Sequence, residues 1–157
     1  MLKKLDETDL QVLSLLQTDG RMSISDISRK IDLSAPSTQD RLRQLQSAKI
    51  IKKFTAILDA EKLGLKLMSL TFVGLSLPQY KAIERFRNSV AEWSEVLECM
   101  DISGEYDFVL KIIVKDMRQY ESLIREKLAK IPGVARIQTS FVLNAPKSTT
   151  EISLANL

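Results

Sequence analysis

Histidine is absent from this chain of 157 residues, and cysteine occurs only once, as Cys99. Without imidazole, the chain cannot build a Ser-His-Asp triad, a Cys-His dyad or the common zinc sites that contain histidine. A single cysteine cannot form an internal disulfide, which fits a protein of the reducing cytoplasm. We therefore predict no metal, no cofactor and no enzymatic activity, although chemistry based on carboxylates or lysine alone stays open.

Long hydrophobic runs are also missing. The longest mainly apolar stretch, residues 67–77, is interrupted by serine, threonine and glycine, whereas a membrane-spanning helix needs about 20 apolar residues. The first residues lack the apolar core and the cleavage site of a secretory signal. With 45% hydrophobic and 27% charged residues, the composition is typical of one globular domain or two small ones. We expect a cytoplasmic protein with no membrane partner.

Positive charge is concentrated in one short segment. The formal net charge of +3 and the sequence pI of about 9.0 indicate little by themselves. Between positions 41 and 53, however, no acidic residue occurs, and a basic segment of this kind favours a nucleic-acid partner. Its positive side chains are those of Arg41, Arg43, Lys49, Lys52 and Lys53.

The first 58 residues follow the spacing of three short helices and then an extended segment. Asp6, Ser23 and Ser34 can each cap a helix, and a tight turn at residues 32–33 joins the last two helices. This arrangement predicts a winged-helix-like helix-turn-helix domain over residues 1–58, followed by a connector over residues 59–66. The predicted inward-facing residues are Leu10, Leu13 and Leu16, then Ile24, Ile27 and Ile31, then Thr38, Leu42 and Leu45.

Residues 67–145 follow the order β-α-β-β-α-β, which predicts a ferredoxin-like domain and makes the chain α+β. The strands are predicted at residues 67–77, 95–103, 108–114 and 135–143, with helices beginning at Pro78 and after Asp116. Residues 146–157 are expected to form a tail that is polar and loose at its start. The predicted inward-facing helix residues are Tyr80, Ile83, Phe86, Val90 and Trp93, then Met117, Tyr120, Ile124 and Leu128.

One face of the predicted sheet has no cover. Right-handed crossovers place both helices on the same face, while the third strand also points Val109 and Ile113 to the opposite face. An uncovered apolar face must be buried against another layer, and no further layer remains in the sequence. We therefore predict a homodimer through this sheet.

The solvent side of the third helix is the candidate DNA-binding surface. With its apolar residues inward, a step of about 100° per residue turns a polar set outward. Such side chains can contact base edges in the major groove, while basic ones suit phosphates. A solvated helix face without DNA is the alternative. The outward set is Pro36, Gln39, Asp40, Arg43 and Gln44, with Ser37 and Arg41 at its flanks. In this set, Asp40 is expected to pair with Arg43 or to accept from cytosine. The residues assigned to phosphates are Arg41, Lys49, Lys52 and Lys53.

Residues 103–107, between the second and third predicted strands, form a second candidate site. In a plain hairpin turn, Gly104 supplies a positive φ and Asp107 caps the loop. In a ligand site, the amides near Gly104 receive the carboxylate of a small zwitterion, and Asp107 or Glu105 receives its ammonium group. The residues alone leave both interpretations open.

Eight short stretches carry a resemblance that is specific when they are taken together. They are Leu5-Asp6-x-x-Asp9-x-x-Val12-Leu13, Asp19-Gly20-Arg21, Leu33-Ser34, Arg41-Leu42-x-x-Leu45, Ile51-x-x-Phe54-x-Ala56, Leu63-Gly64, Gly104-x-Tyr106-Asp107 and Ile131-Pro132-Gly133-Val134. In this order and spacing, the sequence resembles the leucine-responsive/asparagine-regulator (Lrp/AsnC, feast/famine) transcription regulators over nearly its whole length.

This resemblance implies an N-terminal domain that binds double-stranded DNA and a C-terminal effector domain called RAM. It also implies dimers that assemble further, often into octamers, and an amino acid bound between effector domains of neighbouring dimers. Carried over by position, the effector-binding residues are Gly104, Glu105, Tyr106 and Asp107, with Thr139 and Ser140 from another subunit.

Two positions depart from the family, which often has glycine where this chain has Asp32 and Lys49. Aspartate tolerates the turn geometry, whereas we expect Lys49 to require a non-glycyl conformation and to add a positive charge near the duplex.

The predicted function is a sequence-specific DNA-binding regulator of transcription whose assembly or DNA affinity is tuned by a small effector, with an amino acid as the expected class. Two alternatives are weaker. Relatives of this architecture that resemble siroheme decarboxylases rely on histidine, which this chain lacks. The other alternative is an assembly or amino acid-binding module with a vestigial helix-turn-helix.

Overall fold

The computed structural model describes residues 4–77 and 79–155, which form two compact units. The helical unit contains the chain up to Ile57 together with the segment from Lys147 onward. The sheet unit contains Leu58–Pro146. The C-terminal tail, which the sequence suggests is a separate segment, thus groups with the helical unit.

The helical unit contains α1 (Glu7–Thr18), α2 (Ile24–Lys30) and α3 (Ala35–Ser47). Each helix begins at the predicted capping residue. The Asp6 carboxylate accepts a hydrogen bond from the Asp9 amide at 2.7 Å; the Ser23 hydroxyl accepts one from Asp26, and the Ser34 hydroxyl one from Ser37. These bonds satisfy amides that have no partner inside the helix, which is why short polar residues mark the helix starts.

The core of this unit is centred on Val12, Leu13, Ile27 and Leu45. Leu10 and Leu16, predicted to face inward, are only half-buried, and Val12 is fully buried in their place. Ile24, Ile31 and Leu42 are also half-buried, and of these three Ile31 packs against the core. The inner face of α1 is therefore rotated toward Val12 relative to the prediction.

The ends of α2 and α3 both use a left-handed residue that is not glycine. Asp32 has φ 53° and Lys49 has φ 56°. After α3, the Lys49 amide donates to Gln46 O at 2.9 Å and the Ile50 amide donates to Leu45 O at 3.0 Å. This is the Schellman pairing, which closes only when the residue after the cap is left-handed. The prediction that Lys49 avoids the glycine conformation is therefore wrong, because the final carbonyls of α3 need these donors.

The sheet unit contains four antiparallel strands in the order β2-β3-β1-β4, which is the predicted ferredoxin-like arrangement. The strands are β1 (Leu67–Leu75), β2 (Val96–Asp101), β3 (Phe108–Val114) and β4 (Val134–Phe141). The helices are α4 (Tyr80–Ala91) and α5 (Met117–Ser122), followed by a π-helical turn (Leu123–Lys127) and a 3-10 turn (Leu128–Lys130). The predicted start of α4 at Pro78 lies outside the described residues.

The core of the sheet unit lies between one face of the sheet and the helices. Phe86 and Val90 from α4 and Tyr120 from α5 pack on the inward residues of β1 and β3, as predicted. Tyr80 and Met117, predicted to face inward, are exposed. Each is the first residue of its helix, and the following turns supply the contacts with the sheet. Leu143 is also exposed, because β4 ends at Phe141.

The opposite face of the sheet carries Val109 and Ile113, as predicted, but these residues are only 8% and 7% exposed. Phe72 stands opposite Val109, and Met68 stands opposite Ile113. Phe72 and Met68 therefore lie on the same face as Val109 and Ile113. Within the described residues, no helix is long and apolar enough to cross a membrane.

Candidate nucleic-acid interface and ligand site

The outward side of α3 is polar and accessible. Ser37, Asp40, Arg43 and Gln44 are exposed, and Gln39 is half-buried. Asp40 is paired with Arg43 at 3.5 Å, with both side chains about two-thirds exposed. An exposed pair of this kind has little net stability, so Arg43 can leave Asp40 for a stronger acceptor. We call these five residues the α3 face.

The sequence assigns Arg41 to phosphates, but two carboxylates already engage its guanidinium in the structure. Its guanidinium donates to Asp6 at 2.7 Å and to Asp9 at 3.1 Å. Asp9 is only 1% exposed, and the Arg41 side chain is 28% exposed. The hydrogen bond to Asp6, and then the bond to Asp9, raise the pKa of the Arg41 guanidinium. Arg41 therefore joins α3 to the start of α1 instead of extending toward a ligand.

The acidic partners of Arg41 have other roles in the sequence analysis, where Asp6 is a capping residue and Asp9 is part of the family motif. Asp9 is buried, and a buried carboxylate needs a cation or several hydrogen-bond donors. The requirement for a cation is the signal that would have predicted the pair between Asp9 and Arg41.

Three lysines follow α3. Lys49, Lys52 and Lys53 are exposed, and none of them forms an ion pair with an acidic side chain among the described residues. We call them the basic segment. Their ammonium groups are accessible to solvent, as a contact with phosphates requires.

The loop between β2 and β3 is held by its own side chains. Gly104 has φ 128°, as the turn interpretation predicts. The Asp107 carboxylate accepts a hydrogen bond from the Leu75 amide at 2.7 Å, and the Asp107 amide donates to Val73 O at 2.9 Å. Asp107 thus fastens the loop to the end of β1, where the register shifts, and this use competes with the predicted binding of an ammonium group.

Glu105 and Tyr106 contact β4, a partner that the sequence did not suggest. The Arg136 guanidinium donates to Glu105 O at 2.6 Å and pairs with the Glu105 carboxylate at 3.2 Å. The Tyr106 hydroxyl donates to Gln138 at 2.7 Å. The Arg136 guanidinium also lies 5.2 Å from the centre of the Tyr106 ring. On β1, Gly74 leaves room for the Arg136 side chain, because a Cβ at position 74 would come 3.1 Å from Arg136 Nε. Alternation along β4 puts positions 136 and 138 on one face, so this signal was present.

Thr139 and Ser140 lie on opposite faces of β4, because successive strand residues alternate. Thr139 turns inward, where its hydroxyl hydrogen-bonds that of Tyr120, which in turn bonds Thr71 at 3.1 Å. Ser140 is exposed and stands opposite Leu70. Within one chain, the loop therefore meets positions 136 and 138, and not Thr139 or Ser140.

Comparison with known proteins matches both units to one family. Residues 5–46 match the profile of the AsnC-type helix-turn-helix domain, and residues 70–152 match that of the Lrp/AsnC ligand binding domain. Transcriptional regulator AzlB of Bacillus subtilis is 36% identical over 150 residues, covering 96% of each chain. The proline dehydrogenase transcriptional activator of Rhizobium radiobacter is 37% identical over 145 residues, covering 92% of this chain and 93% of the relative.

A solved structure shows the same architecture. The complex of transcriptional regulator NMB0573 of Neisseria meningitidis with L-Met superimposes with a TM-score of 0.91 at 34% sequence identity, covering 97% of this chain and 98% of the other. These relatives are named as regulators and not as enzymes, which agrees with the prediction that the chain has no enzymatic activity. The protein therefore belongs to the Lrp/AsnC family of transcriptional regulators, with a helix-turn-helix DNA-binding domain and a ligand-binding domain.

Proposed function

We propose that this protein binds specific sequences of double-stranded DNA and that a small effector of the amino acid class tunes its assembly or its DNA affinity. The observation that carries the proposal is the accessible α3 face beside the accessible basic segment. A helix of 13 residues with polar residues on its outer side can lie in the major groove. Because the proposed partner is DNA, we also propose the cytoplasm as the compartment of this protein.

The roles divide by chemistry. Gln39 can donate to and accept from adenine, Ser37 can serve either kind of base, and Arg43, once released by Asp40, can bind guanine or hold a phosphate. The basic segment supplies the sequence-independent part of the affinity through phosphates. Gln44, one helical turn after Asp40, is the last residue of the α3 face.

DNA titrations against salt test these roles. Lys52→Ala should weaken binding to specific and random duplexes alike, and should reduce the slope of log affinity against log salt by about 0.9 if one phosphate contact is lost. Gln39→Ala should instead change the order of preferred sequences while leaving that slope unchanged. Lys115→Ala removes an exposed positive charge from the sheet unit and is the matched control. Unchanged curves for both Lys52→Ala and Gln39→Ala would refute the placement.

We also propose a homodimer through the face of the sheet that carries Val109 and Ile113, with dimers assembling further into octamers. Met100, opposite Val109 in the register, is exposed on the same face, and a second copy of the face is an occupant with matching apolar chemistry. Such a dimer presents two α3 faces, which suits half-sites about one helical turn apart.

Sedimentation velocity tests the dimer. Met100→Lys should shift the population toward monomer, because it places a charge in the proposed contact. Met117→Lys is the matched control, since Met117 is an exposed methionine on the helix that covers the other face. Equal behaviour of the two variants argues against this interface.

For the effector, we propose the loop at residues 104–107 as the binding element. Glu105 is exposed and can exchange its pair with Arg136 for an ammonium group, whereas Asp107 is engaged by the Leu75 amide at the end of β1. The complex of NMB0573 with L-Met supports an amino acid as the class. Thr139 and Ser140 remain assigned to a neighbouring subunit, with only Ser140 presenting its hydroxyl to solvent.

A thermal-shift screen with the twenty amino acids tests this assignment. A ligand that binds the folded state should raise the melting temperature in proportion to the logarithm of its concentration. The rise should diminish in Glu105→Gln and persist in Glu121→Gln, an exposed carboxylate on α5. If no amino acid raises the melting temperature, the effector class is wrong.

A further inference from the structure

The C-terminal segment does not lie loose but contacts α1. Gln17, near the end of α1, uses both ends of its carboxamide on a single residue. Its Nε2 donates to Ile152 O at 3.0 Å, and its Oε1 accepts from the Ile152 amide at 2.7 Å. In an antiparallel sheet, a residue of the adjacent strand would donate one hydrogen bond to Ile152 and accept one from it. Here the carboxamide of Gln17 makes these two hydrogen bonds instead.

A second contact is apolar. Leu154 is half-buried and packs against the core of the helical unit, which contains Val12 from α1 and Leu45 from α3. Before it, the Thr149 hydroxyl accepts a hydrogen bond from the Glu151 amide at 3.0 Å, which forms a local turn. Neither DNA contact nor the loop site explains why this segment lies against α1.

We propose that residues 147–155 act as an intrachain strap, and that the surface of α1 around Gln17 is a docking surface whose occupant is this chain's own C-terminal segment. The individual contacts are few, but a tethered segment has an effective concentration of the order of millimolar, so a weak interface stays formed. Because Leu154 touches the cluster that contains Leu45, the strap stabilises the packing of α3 as well as α1.

The strap also changes how the chain is connected. The sheet unit is bounded on both sides by segments of the helical unit, at Ile57/Leu58 and at Pro146/Lys147. The second of these links follows β4, the strand that contacts the candidate effector loop. A change at β4 therefore has a covalent path to α1 that does not pass through residues 58–66. This consequence rests on the proposed function, whereas the docking itself does not.

The first test uses variants of the full chain. Gln17→Ala and Leu154→Ala should each lower the melting temperature of the helical unit by about 2–6 °C. That transition is the part of the far-ultraviolet circular dichroism change that Trp93 fluorescence does not follow. Fluorescence of Trp93, the only tryptophan, which lies in the sheet unit, should report an unchanged transition. Gln11→Ala, on an exposed position of α1, is the matched control. If both strap variants melt like Gln11→Ala, the strap is refuted.

The second test supplies the segment separately. A chain that ends at Pro146 should melt at a lower temperature than the full chain, and millimolar synthetic peptide of residues 147–155 should recover the loss. The same peptide with Leu154→Ala should not. A truncated chain that melts like the full chain, or a peptide without effect, overturns the docking surface.

A DNA titration separates the strap from the proposed function. The truncated chain should bind a specific duplex several-fold more weakly, with an unchanged salt slope, since no phosphate contact is removed. A reduced slope would instead place the segment on the duplex and contradict the strap. If the full chain binds no DNA at all, the proposed function fails, but the melting experiments still decide whether the strap exists.

Discussion

Replacing Lys49 by glycine should stabilise this protein, although glycine usually weakens a chain. Lys49 is the left-handed residue of the Schellman motif that ends α3, with φ 56°. An L-residue in this conformation costs roughly 1–2 kcal/mol, because its Cβ approaches the following carbonyl oxygen. Glycine has no Cβ and adopts the conformation without that cost.

The magnitude follows from two opposing effects. Glycine removes roughly 1–2 kcal/mol of conformational cost but adds roughly 0.5–1 kcal/mol, because the unfolded chain gains freedom. The net expectation for Lys49→Gly is a gain of up to about 1.5 kcal/mol in the free energy of unfolding. Lys49→Ala removes the same charge but keeps the Cβ, so its stability should stay close to that of the parent chain.

Urea unfolding of the full chain measures the difference. Circular dichroism follows all helices, whereas Trp93 fluorescence follows the sheet unit alone. We expect Lys49→Gly to move only the transition of the helical unit to higher urea, and both variants to lose the same amount of DNA affinity, since both lose one charge. Equal stability of Lys49→Gly and Lys49→Ala would show that the left-handed conformation carries no cost here, and the reasoning would fail.

Two other predictions concern buried charge and pH. Arg41→Ala should lower the free energy of unfolding by about 1.5–3 kcal/mol, the range for hydrogen bonds to charged groups, because it removes a donor from the carboxylate of Asp9, which is 1% exposed; a flattened salt slope in DNA binding with unchanged urea stability would restore Arg41 as a phosphate contact. Burial acts most strongly and raises the pKa of Glu95, but the hydrogen bond and charge of Lys127, together with a backbone hydrogen bond and one from Ser94, outweigh it, so that the pKa is lowered from its ordinary value of 4.5. The folded state then binds fewer protons than the unfolded state, so this stabilisation is complete above pH 4.5 and is lost as the pH falls through the lowered pKa. Lys127→Met should make the acid-induced loss of stability shallower, and Trp93 fluorescence at decreasing pH measures it; an unchanged acid branch would contradict the pairing.

Local signals predicted most of the fold. Asp6, Ser23, Ser34 and Asp116 cap helices as expected, because capping depends on a side chain that reaches an amide two or three residues away. Alternation along β3 and its turn at Gly104 were also correct. These features depend on neighbours in sequence, so a single sequence contains the information they need.

The candidate sites were predicted less completely, because their members meet across long stretches of sequence. The outward positions of α3 followed from helical periodicity, but periodicity does not distinguish Arg41, bound to Asp9, from Arg43, which faces solvent. In the loop, the sequence identified Glu105 and Asp107 as acidic candidates. It did not show that Asp107 is used by β1 or that Glu105 is paired with Arg136.

The sequence by itself determined the elements, their order and the polar and basic side chains on the outer side of α3, since helix caps, periodicity and charge are properties of short segments. Tertiary structure decided which charged groups are already occupied inside the protein and which remain accessible. It also decided that the polar C-terminal segment lies against Gln17. A hydrogen bond between residues 135 positions apart depends on how the whole chain folds, and no local pattern encodes it.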